Sequence, residues 1–294
     1  MHEAKTNPRS DSSHQEKHSL YTCTRVIVLA ASLVVPIAIA DCTASAQTAA
    51  ATDEMRAGVI AYKFSDYAGA AKHFQAALDI DPDFTQARLF LATAYAQQYV
   101  SGDESDANKA MAQQAIDQFK IVLADDPSEQ ERYRSVVPAA SLSFNLKRFD
   151  EAGDYYRKAI ELSPQEARNY FMMGLIDWTQ ASQARTKAKS ELGLTESQMI
   201  SKRAACAALR AENQQKVEDG IQRLQKALEL QPSFDDAMGY MNLLYRERAE
   251  YECDDPEARK SDLKAADEWT DKAIAAKKAN AEKAAAEKAT PKQP

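Results

Sequence analysis

One spacing recurs four times along this 294-residue chain, and it constrains the fold more than any other feature. A small residue is followed four positions later by a large apolar one, three positions later by a second small or β-branched residue, and five positions later by a proline. The four copies are Ala70/Phe74/Ala77/Pro82, Ala115/Phe119/Val122/Pro127, Ala152/Tyr156/Ala159/Pro164 and Gly220/Leu224/Ala227/Pro232. A fifth copy, Ala266/Thr270/Ala273, lacks the proline.

Steps of four and three residues place all three side chains on one stripe of an α-helix. The small residues let a second helix approach closely, and the large residue fills the space beside them. The proline cannot continue the helix, so it ends the unit. Good helix formers dominate the composition, and only 8 glycines and 10 prolines occur. We therefore expect an all-α fold.

A second helical segment precedes each stripe, in the stretches that contain Gly58, Leu91 with Tyr95, Gly174, and Met241 with Tyr245. The sequence resembles the tetratricopeptide repeat family, whose unit of about 34 residues is a helix–turn–helix, and these residues fall on the signature positions of its first helix. The resemblance implies a right-handed superhelical solenoid of about five repeats within residues 47–278. The repeats are expected at about 51–84, 85–132, 133–166, 167–234 and 235–278.

Repeats 2, 4 and 5 carry insertions between their two helices, which the repeat pattern places at one edge of the solenoid. The insertion of repeat 4 contains Gly193, expected to end one helix, and the capping-box pattern Thr195 to Gln198, expected to start another. In repeat 3, Pro138 is expected near the start of the first helix, where a proline is tolerated.

The two ends of the chain differ from the repeats. Residues 26–40 form an apolar run, and Ala44-Ser45-Ala46 supplies the small-x-small pattern of signal peptidase sites. We expect residues 1–46 to be a signal peptide cleaved after Ala46 and the protein to be exported to the periplasm. An uncleaved membrane anchor and a lipidated Cys42 are the alternatives. Residues 279–294 are rich in Ala, Lys and Glu, which favours a disordered or frayed helical tail.

Residues suited to catalysis are scarce in the sequence. The formal charge of −7 argues against nucleic acid as a partner, because phosphate binding needs a basic surface. After the leader, His73 is the only histidine, and one surface histidine cannot form a metal cluster or complete a nucleophilic triad. No GxGxxG, P-loop or HExxH motif occurs. We expect no enzymatic activity, no metal and no cofactor.

Cys206 and Cys253 are the two cysteines that follow the leader. They lie in the insertions of neighbouring repeats, and an even pair in an oxidising compartment favours a disulfide. Two separate buried thiols are the alternative.

By resemblance, the first helix of each repeat lines a concave groove. The residues assigned to it are Met55, Val59, Tyr62, Leu89, Thr93, Arg134, Phe144, Arg168, Phe171, Leu175, Trp178, Leu243 and Arg246, together with Val137 and Ser141. This apolar and aromatic surface suits an amphipathic helix or an extended apolar segment of a partner. The protein's own insertion helix is the alternative occupant.

The leading hypothesis is a non-enzymatic exported scaffold that binds a protein or peptide through this groove, in a process such as cell-envelope assembly or secretion. The runner-up is a structural protein that self-associates through its insertion helices. An enzyme with an unrecognised carboxylate site is the third. No membrane span is expected after signal cleavage, and the sequence leaves the oligomeric state and the partner's identity open.

Overall fold

A computed structural model describes residues 37–289, which form ten helices joined by turns and loops, with no strand among them. Of the predicted signal peptide, residues 1–46, the part up to residue 36 lies outside the described residues. The ten helices are α1 (Ile37–Lys63), α2 (Tyr67–Ile80), α3 (Thr85–Gln98), α4 (Asp106–Ala124), α5 (Glu129–Asn145), α6 (Phe149–Leu162), α7 (Ala167–Glu191), α8 (Arg203–Leu230), α9 (Asp235–Glu250) and α10 (Pro256–Ala289). None of these ten is long and apolar enough to cross a bilayer.

The chain divides into two compact units between Ala87 and Arg88. The first unit holds the helix pair α1 and α2, and Phe74 is its central buried side chain, with no exposed surface. A Cβ on Gly58 would lie 2.5 Å from Cε1 of Phe74, so α1 and α2 meet at a place that only glycine permits. The backbone of α1 is helical through Ala44 to Ala46, the predicted cleavage site.

The second unit contains the pairs α3–α4, α5–α6, α7–α8 and α9–α10. Its apolar core has two parts. Phe119 and Ile116 of α4 centre the first part, which extends from α3 to α7. Leu224 of α8 and Met241 of α9 centre the second part.

The repeated stripe is the buried face of the second helix in each pair. Its small and large members are all buried in the four proline-bearing copies. The helices end just before the prolines, at Ile80, Ala124, Leu162 and Leu230. Leu91, Gly174 and Met241 of the first helices are buried as well. The predicted all-α helical repeat fold is confirmed.

The insertions mainly lengthen helices. The second helix α4 starts at Asp106, well before its stripe residue Ala115. Asn108 fixes the preceding loop, because its Nδ2 donates to the carbonyls of Val100 (2.9 Å) and Asp103 (2.7 Å). Its Oδ1 accepts the N–H of Val100 at 2.8 Å.

In repeat 4, Gly193 has a φ of +65° and lies two residues after Glu191, the last residue of α7, so Gly193 ends this helix as predicted. The expectation of a helix starting at Thr195 is wrong, because α8 begins at Arg203. Thr195 and Gln198 close a turn instead: Gln198 Oε1 accepts the Thr195 N–H at 2.7 Å, and the Gln198 N–H donates to the Thr195 carbonyl at 3.1 Å. The chain then buries Ile200, which is 1% exposed, before it becomes helical again.

Pro138 lies in the interior of α5, so the expectation that it marks the helix start is also wrong. Ser128 and Glu131 start the helix earlier through a capping box. The Ser128 hydroxyl accepts the Glu131 N–H at 3.3 Å, and Glu131 Oε2 accepts the Ser128 N–H at 3.1 Å. These reciprocal bonds satisfy the free donors of the first turn and stabilise a helix start ahead of the proline.

The C-terminal helix α10 continues to Ala289. Asn280 attaches it to the turn before α9, because its Nδ2 donates to the Ser233 carbonyl at 2.9 Å and to Asp235 Oδ1 at 3.1 Å. The segment beyond Ala273 is therefore helical and makes at least one specific contact.

Candidate functional site

The first helices of the second unit lie side by side. The Tyr133 hydroxyl of α5 accepts a hydrogen bond from Asn169 Nδ2 of α7 at 3.4 Å. The guanidinium of Arg134 lies 5.8 Å from the ring centre of Phe90 in α3. Between α7 and α9, the rings of Trp178 and Tyr240 meet edge to face at 5.2 Å. Thus α3, α5, α7 and α9 form a continuous row, which we call the A-helix row.

Two helices of this row present matching stripes. The α5 stripe and the α7 stripe share the spacing three, four, three, which repeats on one helix face. The α5 stripe consists of Arg134, Val137, Ser141 and Phe144, and the α7 stripe of Arg168, Phe171, Leu175 and Trp178. Each stripe begins with an exposed arginine and ends with a partly exposed aromatic ring.

The predicted groove residues differ in how accessible they are. Met55, Leu89 and Phe171 are 7%, 2% and 7% exposed, so they belong to the packed interior. Thr93 is partly exposed, and its hydroxyl donates to the Leu89 carbonyl at 2.7 Å. Leu243 is also partly exposed.

The charged groove residues fall into two groups. Arg246 is exposed, but Asp267 lies 2.8 Å from its guanidinium and neutralises it. Arg134 and Arg168 are exposed and make no ion pair within residues 47–288.

In the first unit, Val59 and Tyr62 are partly exposed. The ring of Tyr62 meets that of Tyr67 edge to face at 5.1 Å. Both predicted groove residues are therefore on the surface of this unit, and Tyr62 is held by a neighbour in the following turn.

An aromatic cluster in the A-helix row did not follow from the sequence. Phe171 contacts Phe234 at 4.8 Å and Tyr240 at 5.6 Å between ring centres. Burial raises the pKa of Tyr240 above its ordinary value. Part of the α7 stripe is thus covered by α9. The available signal was the position of Tyr240 directly after Gly239, a large ring beside a small residue.

The insertion of repeat 4 makes its polar contacts at the far ends of α7 and α9. Lys189, which is 1% exposed, lies 3.1 Å from Glu250 Oε1 and donates to the Glu196 carbonyl at 2.8 Å. Arg185 contacts Glu247 at 3.0 Å. These buried ion pairs join the C-terminal ends of two first helices.

Cys206 and Cys253 form the predicted disulfide, with a Cα–Cα distance of 6.3 Å. It joins the first turn of α8 to the turn between α9 and α10. Arg210 reinforces the same junction, because its guanidinium lies 2.7 Å from Glu252 and donates to the Tyr251 carbonyl at 2.9 Å.

His73 and Asp177 are two titratable side chains that each contact an oppositely charged or ionisable neighbour. His73 Nδ1 lies 2.7 Å from Glu54 Oε2, and its side chain is 45% exposed, as expected of a surface histidine. Asp177 is buried, which raises its pKa to about 6 even though Arg223 pairs with it. This pair lies between α7 and α8 and serves their packing. Among the residues that the structure describes, no three potential ligands are grouped so as to hold a metal.

The comparisons with known proteins agree with the helix pairs. A family model, Tetratricopeptide repeat, matches residues 139–166. No curated protein matches the sequence significantly. The fold is similar to a crystal structure of MamA, with 18% identity, coverage of 83% of this chain and 98% of that chain, and a TM-score of 0.51. It is similar as well to MamA 41-end from Desulfovibrio magneticus RS-1, with 15% identity, coverage of 78% and 96%, and a TM-score of 0.51. The recurring helix pair and the fold of these neighbours show a helical repeat fold, and within it residues 139–166 match the tetratricopeptide repeat.

Proposed function

We propose that this protein is a non-enzymatic scaffold that binds a segment of a partner protein along the A-helix row. The pair of matching stripes on α5 and α7 supports this most, because arginine and aromatic side chains are accessible on adjoining helices. Arginine and aromatic residues are enriched where proteins bind one another, and they dominate the binding energy there. Repeat folds offer such an extended surface through stacking of neighbouring units.

The partner segment is proposed to be an amphipathic helix or an extended apolar stretch. The partly exposed members of the stripes are Val137, Phe144, Leu175 and Trp178. Both kinds of segment can place apolar side chains against such a surface while their own backbone hydrogen bonds are satisfied.

Co-purification from the host with tagged variants tests the scaffold role. Trp178→Ala removes the ring that ends the α7 stripe. Ser141→Trp adds bulk to an exposed stripe position without removing a buried side chain. Gln222→Trp, at an exposed position of α8, is the matched control. We expect partner recovery to fall for the first two variants and not for the control, with helicity unchanged. Undiminished recovery with both stripe variants would argue against the groove.

We further propose that the protein is exported and works in a process of the cell envelope such as assembly or secretion. The leader pattern supports export, and so does the disulfide, because disulfides persist in oxidising compartments. The mass of the protein isolated from its host is the test. Cleavage after Ala46 predicts a chain that starts at Gln47, whereas an intact chain would indicate an anchor or a cytosolic protein.

Self-association through the insertions is the second candidate. We rank it lower because charged groups at the repeat 4 insertion, such as Arg185, Lys189 and Arg210, already pair with carboxylates of the same chain. Light scattering over a wide concentration range separates the two functions. A mass that stays monomeric at every concentration would exclude the self-associating structure.

A further inference from the structure

We infer that the two arginines of the A-helix row select an acidic partner segment, one whose Asp or Glu side chains pair with Arg134 and Arg168. The inference rests on the proposed function and names the chemistry of the partner that the same surface takes.

The first observation is that neither arginine has a carboxylate within 4 Å among the residues whose side chains the structure describes. The chain has 44 acidic and 37 basic residues, so carboxylates are in excess. Most arginines of the second unit accordingly lie within 4 Å of a carboxylate: Arg132, Arg148, Arg157, Arg185, Arg203, Arg210, Arg223, Arg246 and Arg248. Arg134 and Arg168 are exposed and make no such pair within residues 47–288.

The surroundings of the two arginines leave their charge available. Glu131, one turn before Arg134, interacts with it electrostatically but is held by Ser128 in the capping box. Glu166 accepts the backbone N–H of Arg168 at 3.3 Å. Burial raises the pKa of Tyr156, close to Arg168, to about 12, so its hydroxyl stays protonated and supplies no counter-charge.

The second observation is that the two arginines belong to one surface. Each occupies the first position of its stripe, and the hydrogen bond between Tyr133 and Asn169 joins the residues directly beside them. Guanidinium groups bind carboxylates through paired hydrogen bonds, which gives geometric specificity as well as energy. Two arginines on adjoining helices therefore favour a segment with more than one carboxylate.

The stripes also set where apolar residues of the partner should lie. Ten residues separate Arg168 from Trp178, which corresponds to about 15 Å along a helix. An extended segment rises about 3.3 Å per residue, so about five of its residues span that distance. The matching segment carries its acidic residues at one end and an apolar or aromatic residue about five positions away.

An array of short synthetic peptides with both termini blocked tests this chemistry. Each peptide carries acidic residues and an apolar residue about five positions apart. A matched amide peptide has the same sequence with Asn and Gln in place of Asp and Glu. Blocked termini exclude recognition of a free C-terminal carboxylate. The full chain is probed as wild type, as Arg134→Gln/Arg168→Gln, and as Trp178→Ala. Arg157→Gln/Arg203→Gln is the matched control, because both side chains are exposed, at 60% and 84%, and the charge change is the same.

We expect the wild type and the control to bind acidic peptides about tenfold or more tightly than the matched amide peptides. The Arg134→Gln/Arg168→Gln variant should lose this preference. Equal binding of the acidic and the amide peptides would overturn the inference. If Trp178→Ala weakened that equal binding, the scaffold role would still stand. Loss of the preference in the control as well would overturn it in favour of unspecific charge attraction. Absence of any bound peptide would also overturn it, and co-purification would then decide the scaffold role separately.

Discussion

Leu224 of α8 occupies the space that a side chain on Gly174 of α7 would need: a Cβ there would lie 2.7 Å from Leu224 Cγ. We predict that Gly174→Ala destabilises the fold by about 1–3 kcal/mol, because a filled core must shift to accept the added carbon. Denaturant unfolding measures this.

The matched control is Gly153→Ala in α6, where an added Cβ would meet nothing within 4 Å. It should stabilise the protein by about 0.5–1 kcal/mol through helix propensity alone. Equal effects of the two substitutions would contradict the close approach of α7 and α8.

Lys189 and Glu250 form a pair whose lysine is almost fully buried. We predict that Lys189→Met costs about 3 kcal/mol, because it leaves a carboxylate without its partner in a poorly solvated place. Adding Glu250→Leu should recover much of this loss, since replacing both partners by apolar groups is often neutral. A double-mutant cycle by chemical unfolding measures the coupling, and additive losses would show that the pair is independent.

The disulfide closes a loop with a sequence separation of 47. Loop entropy predicts that Cys206→Ala/Cys253→Ala lowers the free energy of unfolding by roughly 4 kcal/mol at most. Reductant should destabilise the wild type and leave the double variant unchanged. Peptide mass mapping under non-reducing conditions should recover one linked pair of peptides, and two unlinked cysteine peptides would disprove the bond.

The buried carboxyl group of Asp177 should make the stability of the fold depend on pH. Its pKa in the folded protein is about 6, above the ordinary value of 3.8, because it is buried. Between these pH values the folded state binds more protons than the unfolded state, so the contribution of Asp177 to stability falls as the pH rises through about 6. Relative to Asp177→Asn, the wild type should lose about 2 kcal/mol of stability between about pH 4 and pH 7. A difference that does not change with pH would show that this carboxyl titrates normally.

The helical stripes could be predicted from the sequence because their information is local. Phe74 and Leu224 recur at one spacing beside small residues, and helix geometry alone decides which face is buried. Capping patterns were less informative about where a helix begins, because several such patterns occur near one another in the sequence. The capping box at Ser128 starts α5 ahead of Pro138, and Thr195 lies in a turn that precedes the burial of Ile200.

Contacts between residues far apart in the chain could not be predicted, because no local sequence pattern marks them. Lys189 and Glu250 are separated by 61 positions, and Tyr240 reaches the α7 stripe from another helix. The sequence predicted which residues of the first helices line a binding surface, and Met55, Leu89 and Phe171 among them are buried instead. It did not show that α9 covers part of that surface, because such coverage depends on how neighbouring helices pack.

Site-specific photo-crosslinking in the host cell tests the central claim most directly. A photoreactive amino acid is placed at Ser141, the exposed residue of the α5 stripe, and in separate chains at Gln114 of α4 and Gln222 of α8, which are exposed on second helices. The scaffold account predicts a discrete crosslinked partner from position 141 and none from positions 114 and 222. Crosslinks to the same partner from the second helices alone would contradict it.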